Sequence, residues 1–138
     1  MENLVASFLE NAIKLSDNNY FNVFVTYAQP NSRVLDLIYR NEDDVIKPSI
    51  ISDVLNLSRV TVTVSLNNLE KEGLVERKLS NSDRRNIIVN ITKKGREKVE
   101  EVRTIAYNFL EDMFKTIGEE KTKDLVEIID VLCKEKLK

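Results

Sequence analysis

Apolar positions along this chain follow two rhythms, a dominant helical one and a short strand-like alternation near the middle. Leu4, Val5, Phe8, Leu9, Ala12 and Leu15 share one helix face, and the polar run Ser16-Asp17-Asn18-Asn19 ends it. Tyr20 to Tyr27 is rich in aromatics and valine, which also suits a strand, but Phe21, Phe24, Val25 and Ala28 keep a helical stripe and predict a helix. Gln29-Pro30-Asn31 breaks the chain, and Val34, Leu35, Leu37 and Ile38 predict a short helix from Ser32 to about Arg40. An acidic loop, Asn41-Glu42-Asp43-Asp44, leads to Val45-Ile46, a minimal strand able to add a third member to a neighbouring ribbon. Pro48 suits the first turn of a helix, where its missing N–H is not needed; that helix runs to Leu55 with Ile51, Val54 and Leu55 inward.

The stretch from Ser58 to Gly95 organises the rest. Leu55-Asn56-Leu57-Ser58 is a turn between two helices, with Asn56 where a left-handed residue is needed. Ser58 is an N-cap, Gly73 a C-terminal stop at positive φ, and Val62, Leu66 and Leu69 make the inward stripe between them. The opposite face carries Val60, Val64, Asn67 and Lys71, flanked by Thr61, Thr63 and Asn68. Isolated exposed valines are ordinary, yet methyl groups beside amides also suit a major groove, where thymine offers a methyl and adenine takes a bidentate amide. Val75, Arg77 and Leu79 then alternate against Ile87, Val89 and Ile91, which predicts a hairpin. Its polar tip, residues 80–86, holds Arg84 and Arg85 with no apolar anchor. An arginine there can be a solvated charge or can enter a narrow minor groove. Asp83 is placed to hold one guanidinium through a bidentate pair.

Beyond the hairpin, Thr92 caps a long helix with Val99, Val102, Ala106, Phe109, Met113 and Ile117 on one stripe, widened by Ile105, Leu110 and Phe114. Gly118 ends it, and a last helix from about Glu120 aligns Leu125, Ile128, Ile129 and Leu132, with Val126 and Cys133 beside them. That is more apolar face than one subunit of this size covers. The expectation is therefore that the terminal helices intertwine with those of a second copy.

Charge changes the picture. The net charge of −2 argues against nucleic acid, but residues 58–96 hold nine basic and four acidic residues, a net of +5, while both flanks are acidic. A basic middle in an acidic chain is an electrostatic footprint for phosphate. With 138 residues, 42% hydrophobic and 32% charged, the composition is that of a water-soluble chain of one domain or one subunit of an oligomer. No apolar run is long enough for a membrane helix and no signal peptide is evident, so a cytoplasmic location is expected. A single cysteine excludes an intramolecular disulfide framework. Without histidine, a transition-metal site would need carboxylates almost alone, and no metal or cofactor is expected. Nothing in the chain pairs a nucleophile with a base or builds a glycine-rich phosphate loop, so no catalytic residue is assigned.

The runs Leu57-Ser58, Thr61-Val62-Thr63, Leu69-Glu70, Gly73-Leu74-Val75-Glu76-Arg77, Asp83-Arg84-Arg85 and Thr92-Lys93-Lys94-Gly95 resemble, in order and spacing, the MarR family of winged helix-turn-helix transcription regulators. The match is close over about 40 residues and looser over the other helices. The resemblance implies a mostly α fold with a small β-hairpin wing. Residues 1–30 would be N-terminal dimerisation helices, 31–92 a winged helix-turn-helix DNA-binding lobe, and 93–138 C-terminal dimerisation helices. It implies a homodimer on double-stranded DNA, usually a repressor on an inverted repeat, with the wing tip contacting DNA. On the helix after the turn, Thr61, Thr63, Val64 and Asn67 are then base-edge candidates, with Ser58 and Arg59 for phosphate or base contact near its N-terminus. Arg85, braced by Asp83, is the minor-groove candidate and Arg84 the phosphate contact; Lys93 and Lys94 touch phosphate or nothing. The first helix of the family is longer and less interrupted than Leu4 to Leu15, which leaves the shape of the N-terminal dimer contact open.

The resemblance further implies a small, often phenolic effector in a cleft between dimer helices and DNA-binding lobe, although Phe24, Tyr27, Tyr39 and Tyr107 are equally ordinary core aromatics. Oxidant-sensing members carry a reactive cysteine near the N-terminus; Cys133, among apolar neighbours in the last helix, is expected to be an inert buried thiol. Zinc-sensing members use histidines, which are absent here. The competing class is a winged-helix protein-interaction module, which needs neither wing-tip arginines nor a basic middle.

Overall fold

The computed structural model describes residues 1–83 and 85–135, apart from the side chain of Tyr20. The elements run α1 (Glu2–Ser16), α2 (Asn19–Ala28), α3 (Pro30–Arg40), α4 (Pro48–Leu55), α5 (Arg59–Lys71), β1 (Val75–Leu79), β2 (Ile87–Ile91), α6 (Lys93–Ile117) and α7 (Glu119–Lys134). The mostly helical fold with one antiparallel hairpin is the one expected from the sequence. Helix α3 starts at Pro30 rather than after it, because a proline at the first helical position gives up no hydrogen bond.

Between α3 and the first turns of α6 lies a closed core. Val34 and Ile38 of α3, Ile51 of α4, Val62, Leu66 and Leu69 of α5, Val75 and Val89 of the hairpin and Val99 of α6 pack together. The hairpin register matches the alternation, with Val75 opposite Ile91, Arg77 opposite Val89 and Leu79 opposite Ile87. Towards its tip the hairpin leaves the lobe, so Leu79 and Ile87 are exposed.

Two sequence expectations need correction. Val54 is not inward but 61% exposed. Helix α4 meets the core along the single row of Ile51 and the half-buried Leu55, and Val54 lies about 100° around the helix from Leu55. Nor does Val45-Ile46 form a third strand, for the sheet has two. Ile46 accepts one hydrogen bond from the Val89 N–H at 2.8 Å, but Pro48, which begins α4, has no N–H to continue a ladder.

Helix α6 is tied to the lobe at its N-terminal end. A Cβ at Gly95 would stand 2.1 Å from the Leu74 carbonyl oxygen, so only glycine lets the helix pass there. Further along, Arg103 pairs with Asp36 at 2.7 Å and stacks over the Tyr39 ring, and Arg96 pairs with Glu42 at 2.6 Å. The Tyr39 hydroxyl donates to Glu100, and burial together with that carboxylate raises its pKa.

The terminal helices are different. Neither α1 nor α7 has a buried residue, and Phe8 is 72% exposed. Cys133 is likewise exposed, contrary to the expectation of a buried thiol, because its helix has no covering layer within one chain. Among the described residues no helix is long and apolar enough to cross a membrane.

Candidate nucleic-acid interface

The turn between α4 and α5 is built by side-chain and backbone bonds together. Asn56 adopts φ 51°, the left-handed conformation expected of it, at the cap of α4. Ser52 donates from Oγ to the Leu57 carbonyl at 2.6 Å and accepts the Leu57 N–H on its own carbonyl at 3.1 Å. Leu57 is thereby drawn in, and α5 starts at a fixed angle. Ser58 caps α5, its Oγ accepting the Thr61 N–H at 3.0 Å and sharing a hydrogen bond with Thr61 Oγ1 at 2.8 Å. At the other end Gly73, at φ 75°, lets the Leu74 N–H reach back to the Leu69 carbonyl, the six-to-one bond of a Schellman stop.

With Val62, Ser65, Leu66 and Leu69 buried, the outer side of α5 faces solvent. Val60 is 73% and Val64 51% exposed, with Arg59, Thr63 and Asn67 also exposed around them. Thr63 donates from Oγ1 to the Arg59 carbonyl at 2.9 Å. The surface is one of methyls, hydroxyls and amides with a cation at its leading end. Such a surface can offer apolar contact to a thymine methyl and hydrogen bonds to base edges.

The hairpin is locked to this helix. Arg77 Nε donates to Glu70 Oε2 at 2.9 Å, and its Nη2 donates both to that oxygen and to Asn67 Oδ1, the latter at 2.7 Å. These hydrogen bonds, with the cation's charge, hold the Glu70 carboxyl below the usual carboxylate range against the opposing effect of desolvation. From α6, Lys94 Nζ donates to the Glu72 carbonyl at 2.8 Å, and Thr92 Oγ1 donates to the Gly73 carbonyl at 2.7 Å while accepting the Gly95 N–H. Lys94, expected to touch phosphate or nothing, instead satisfies a carbonyl at the C-terminus of α5, where a cation is favoured.

At the wing tip Asp83 braces the loop, but not as expected. Its Oδ1 accepts the Arg85 backbone N–H at 3.0 Å and its Oδ2 accepts from Asn86 Nδ2 at 3.1 Å. A carboxylate committed to its own turn in this way shapes the backbone, and the described contacts include no bidentate pair with a guanidinium. The Arg85 side chain is exposed. Arg84 lies outside the described residues.

Thus Ser58, Arg59, Thr61, Thr63, Val64 and Asn67 share α5, and Asp83 and Arg85 stand at the far end of a hairpin fastened to it through Asn67. Sequence reasoning missed Arg77, Glu70 and Lys94 as the fasteners. For Arg77 and Glu70 the signal was a pair of opposite charges on either side of the glycine turn at Gly73; Lys94, which meets a backbone carbonyl, had none.

Residues 25–102 match the family described as transcriptional regulator SarA/Rot. The chain is 33% identical over 100 residues to the uncharacterised HTH-type transcriptional regulator YwhA of Bacillus subtilis, covering 72% of this chain and 70% of that one. It is 33% identical over 87 residues to the transcriptional repressor MprA of Escherichia coli K12, covering 63% of this chain but spanning only about half of MprA's length, 49%. In shape it is similar to the MepR–DNA complex of S. aureus, with a TM-score of 0.69 at 19% identity over 92% of this chain and 95% of that one.

Proposed function

The chain belongs to the SarA/Rot family of transcriptional regulators, and from that premise we propose a homodimeric repressor that reads an inverted repeat. Helix α5 enters the major groove and the hairpin reaches the adjacent minor groove. The observation that carries this is the outer face of α5, where Arg59, Val60, Thr63, Val64 and Asn67 are exposed on a rigidly capped helix. A twofold dimer presents two such helices to half-sites with centres roughly 10 bp apart.

Residues 31–92 form the DNA-reading lobe in this view, with residues 1–30 and 93–138 joining two copies, and the protein works in the cytoplasm on duplex DNA. Thr61, Thr63, Val64 and Asn67 face base edges; Ser58 and Arg59 serve the helix N-terminus; Arg85 enters the minor groove from a turn shaped by Asp83, with Arg84 on phosphate. The repressor sense is supported by the name of MprA. Relief by a small, often phenolic effector would use the pocket of about 120 Å³ beside α6, lined by Tyr27, Leu35, Leu69 and Val99 together with the charged Asp36 and Arg103.

Selection from a random duplex pool tests the proposal: a palindrome should be recovered, and affinity for it should fall steeply with salt as condensed counterions are released. A chain that retains no duplex, or binds with no dependence on salt, would instead be a winged-helix module for protein contacts.

A further inference from the structure

The contact between the hairpin and α5 does more than hold two elements together. Arg77 reaches from β1 to α5, where one nitrogen meets Asn67 at 2.7 Å while the same group grips Glu70. A guanidinium has only donors. The amide atom turned towards it is therefore the oxygen, and the exposed Asn67 side chain has one orientation rather than two. Bidentate pairing with adenine needs the amide oxygen for the N6–H and the amide nitrogen for N7, both directed at the base. Arg77 takes one of the two lone pairs of that oxygen and turns the carbonyl towards the hairpin, so the amide does not aim its oxygen and nitrogen together at one base edge, and the groove meets its two N–H donors.

We propose that Arg77 is a positioning residue that sets the base preference of Asn67, making it a donor-only reader that favours guanine, whose major-groove edge offers two acceptors and no donor, over adenine, whose single acceptor N7 stands beside the N6–H donor. The inference rests on α5 being the groove helix. Glu70 serves in turn to hold Arg77, since its carboxylate takes two of the guanidinium's donors. The base preference at one position in each half-site is thus fixed by a residue that need not touch DNA.

The test uses the full chain and the duplex recovered from the random pool, with each base substituted in turn. Asn67→Ala identifies its position, as the place where discrimination is lost. There the wild type should prefer guanine over adenine by roughly fivefold or more, the discrimination expected of a good base-edge contact. Arg77→Met should shift the ratio towards adenine at that position and leave neighbouring positions unchanged; in the Asn67→Ala background it should shift nothing. Because each ratio compares two duplexes on one preparation, partial unfolding of a variant cancels. An adenine preference in the wild type, an unaltered ratio in Arg77→Met, or a uniform loss in Asn67→Ala with no positional effect would each overturn the assignment while leaving DNA binding intact. Failure of the wild type to retain any duplex would overturn the function itself.

Discussion

The lobe from α3 to the start of α6 and the helices at either end of the chain are built from the same apolar periodicity, yet only the lobe is closed. Among the described residues, every buried apolar residue of the core falls between Val34 and Val99. Outside that span, α1 and α7 carry stripes just as regular and bury none of their residues. Periodicity shows that a face is meant to be covered, but not by what. In the lobe the cover is local: α3, α4 and the hairpin lie on α5, and Arg77, Lys94 and Thr92 fasten the edges. At the ends no such cover lies within the chain, and in the proposed homodimer it would come from a second copy by symmetry.

The sharpest way to break this contrast is truncation on each side of it. Ile51 is fully buried in the lobe, so Ile51→Ala should cost about 2 to 5 kcal/mol through lost burial and the cavity left behind. Chemical denaturation should report the loss at every protein concentration. Phe8→Ala in α1 removes a side chain that a single copy leaves in water. If α1 is an interface anchor, the change should weaken self-association by about 2 to 4 kcal/mol, seen by sedimentation as dissociation on dilution. A chain that stays monomeric at all concentrations would remove the basis for pairing.

Within the lobe the comparison moves to the two ends of the reading surface. Arg85 stands on the hairpin tip, in the turn held by Asp83. Arg85→Ala should weaken binding to the selected duplex by about 1 to 3 kcal/mol at matched salt, with little change in thermal stability. Ser58 stands at the other end, in the cap of α5. Ser58→Ala should cost about 1 kcal/mol of folding stability by leaving the Thr61 N–H without its partner. Its DNA affinity should fall less than that of Arg85→Ala. Equal loss of stability in both variants would show that the tip is structural.

How much of this could be read beforehand follows the range of the interactions. The cap at Ser58, the left-handed Asn56, the stop at Gly73 and the hairpin register are set by neighbours in sequence, and each was legible. Val54 and the Val45-Ile46 strand were not, because both depend on how far neighbouring elements extend past them. At Asp83 the legible part was the brace and not its partners: a carboxylate two residues before an amide N–H closes its own turn. Cys133 was placed inside by its apolar neighbours, whose stripe turns out to have no cover within the chain. Arg77 was legible only as part of an alternating strand, since its partner helix lies across a turn whose geometry the sequence does not give.

The smallest effect expected is also the most direct probe of the fastening between helix and hairpin. Hydrogen bonds from Arg77 hold the Glu70 carboxyl below its usual range in the folded chain, so the unfolded chain binds the proton more readily. Stability from this pair is therefore fully present above the ordinary carboxylate pKa of about 4.3 and is lost as pH falls through the lower folded value. Glu70→Gln, which cannot ionise, should be less stable than the wild type near neutral pH, and the gap should close as acid protonates Glu70. Both side chains are partly exposed, so solvent screening keeps the difference small. Parallel denaturation series from about pH 7 down to pH 3 would show the two curves converging on the acid side. Curves that run parallel throughout would mean that the ion pair stabilises nothing, and that the hairpin is held to α5 by the buried contacts of Val75 and Leu74 instead.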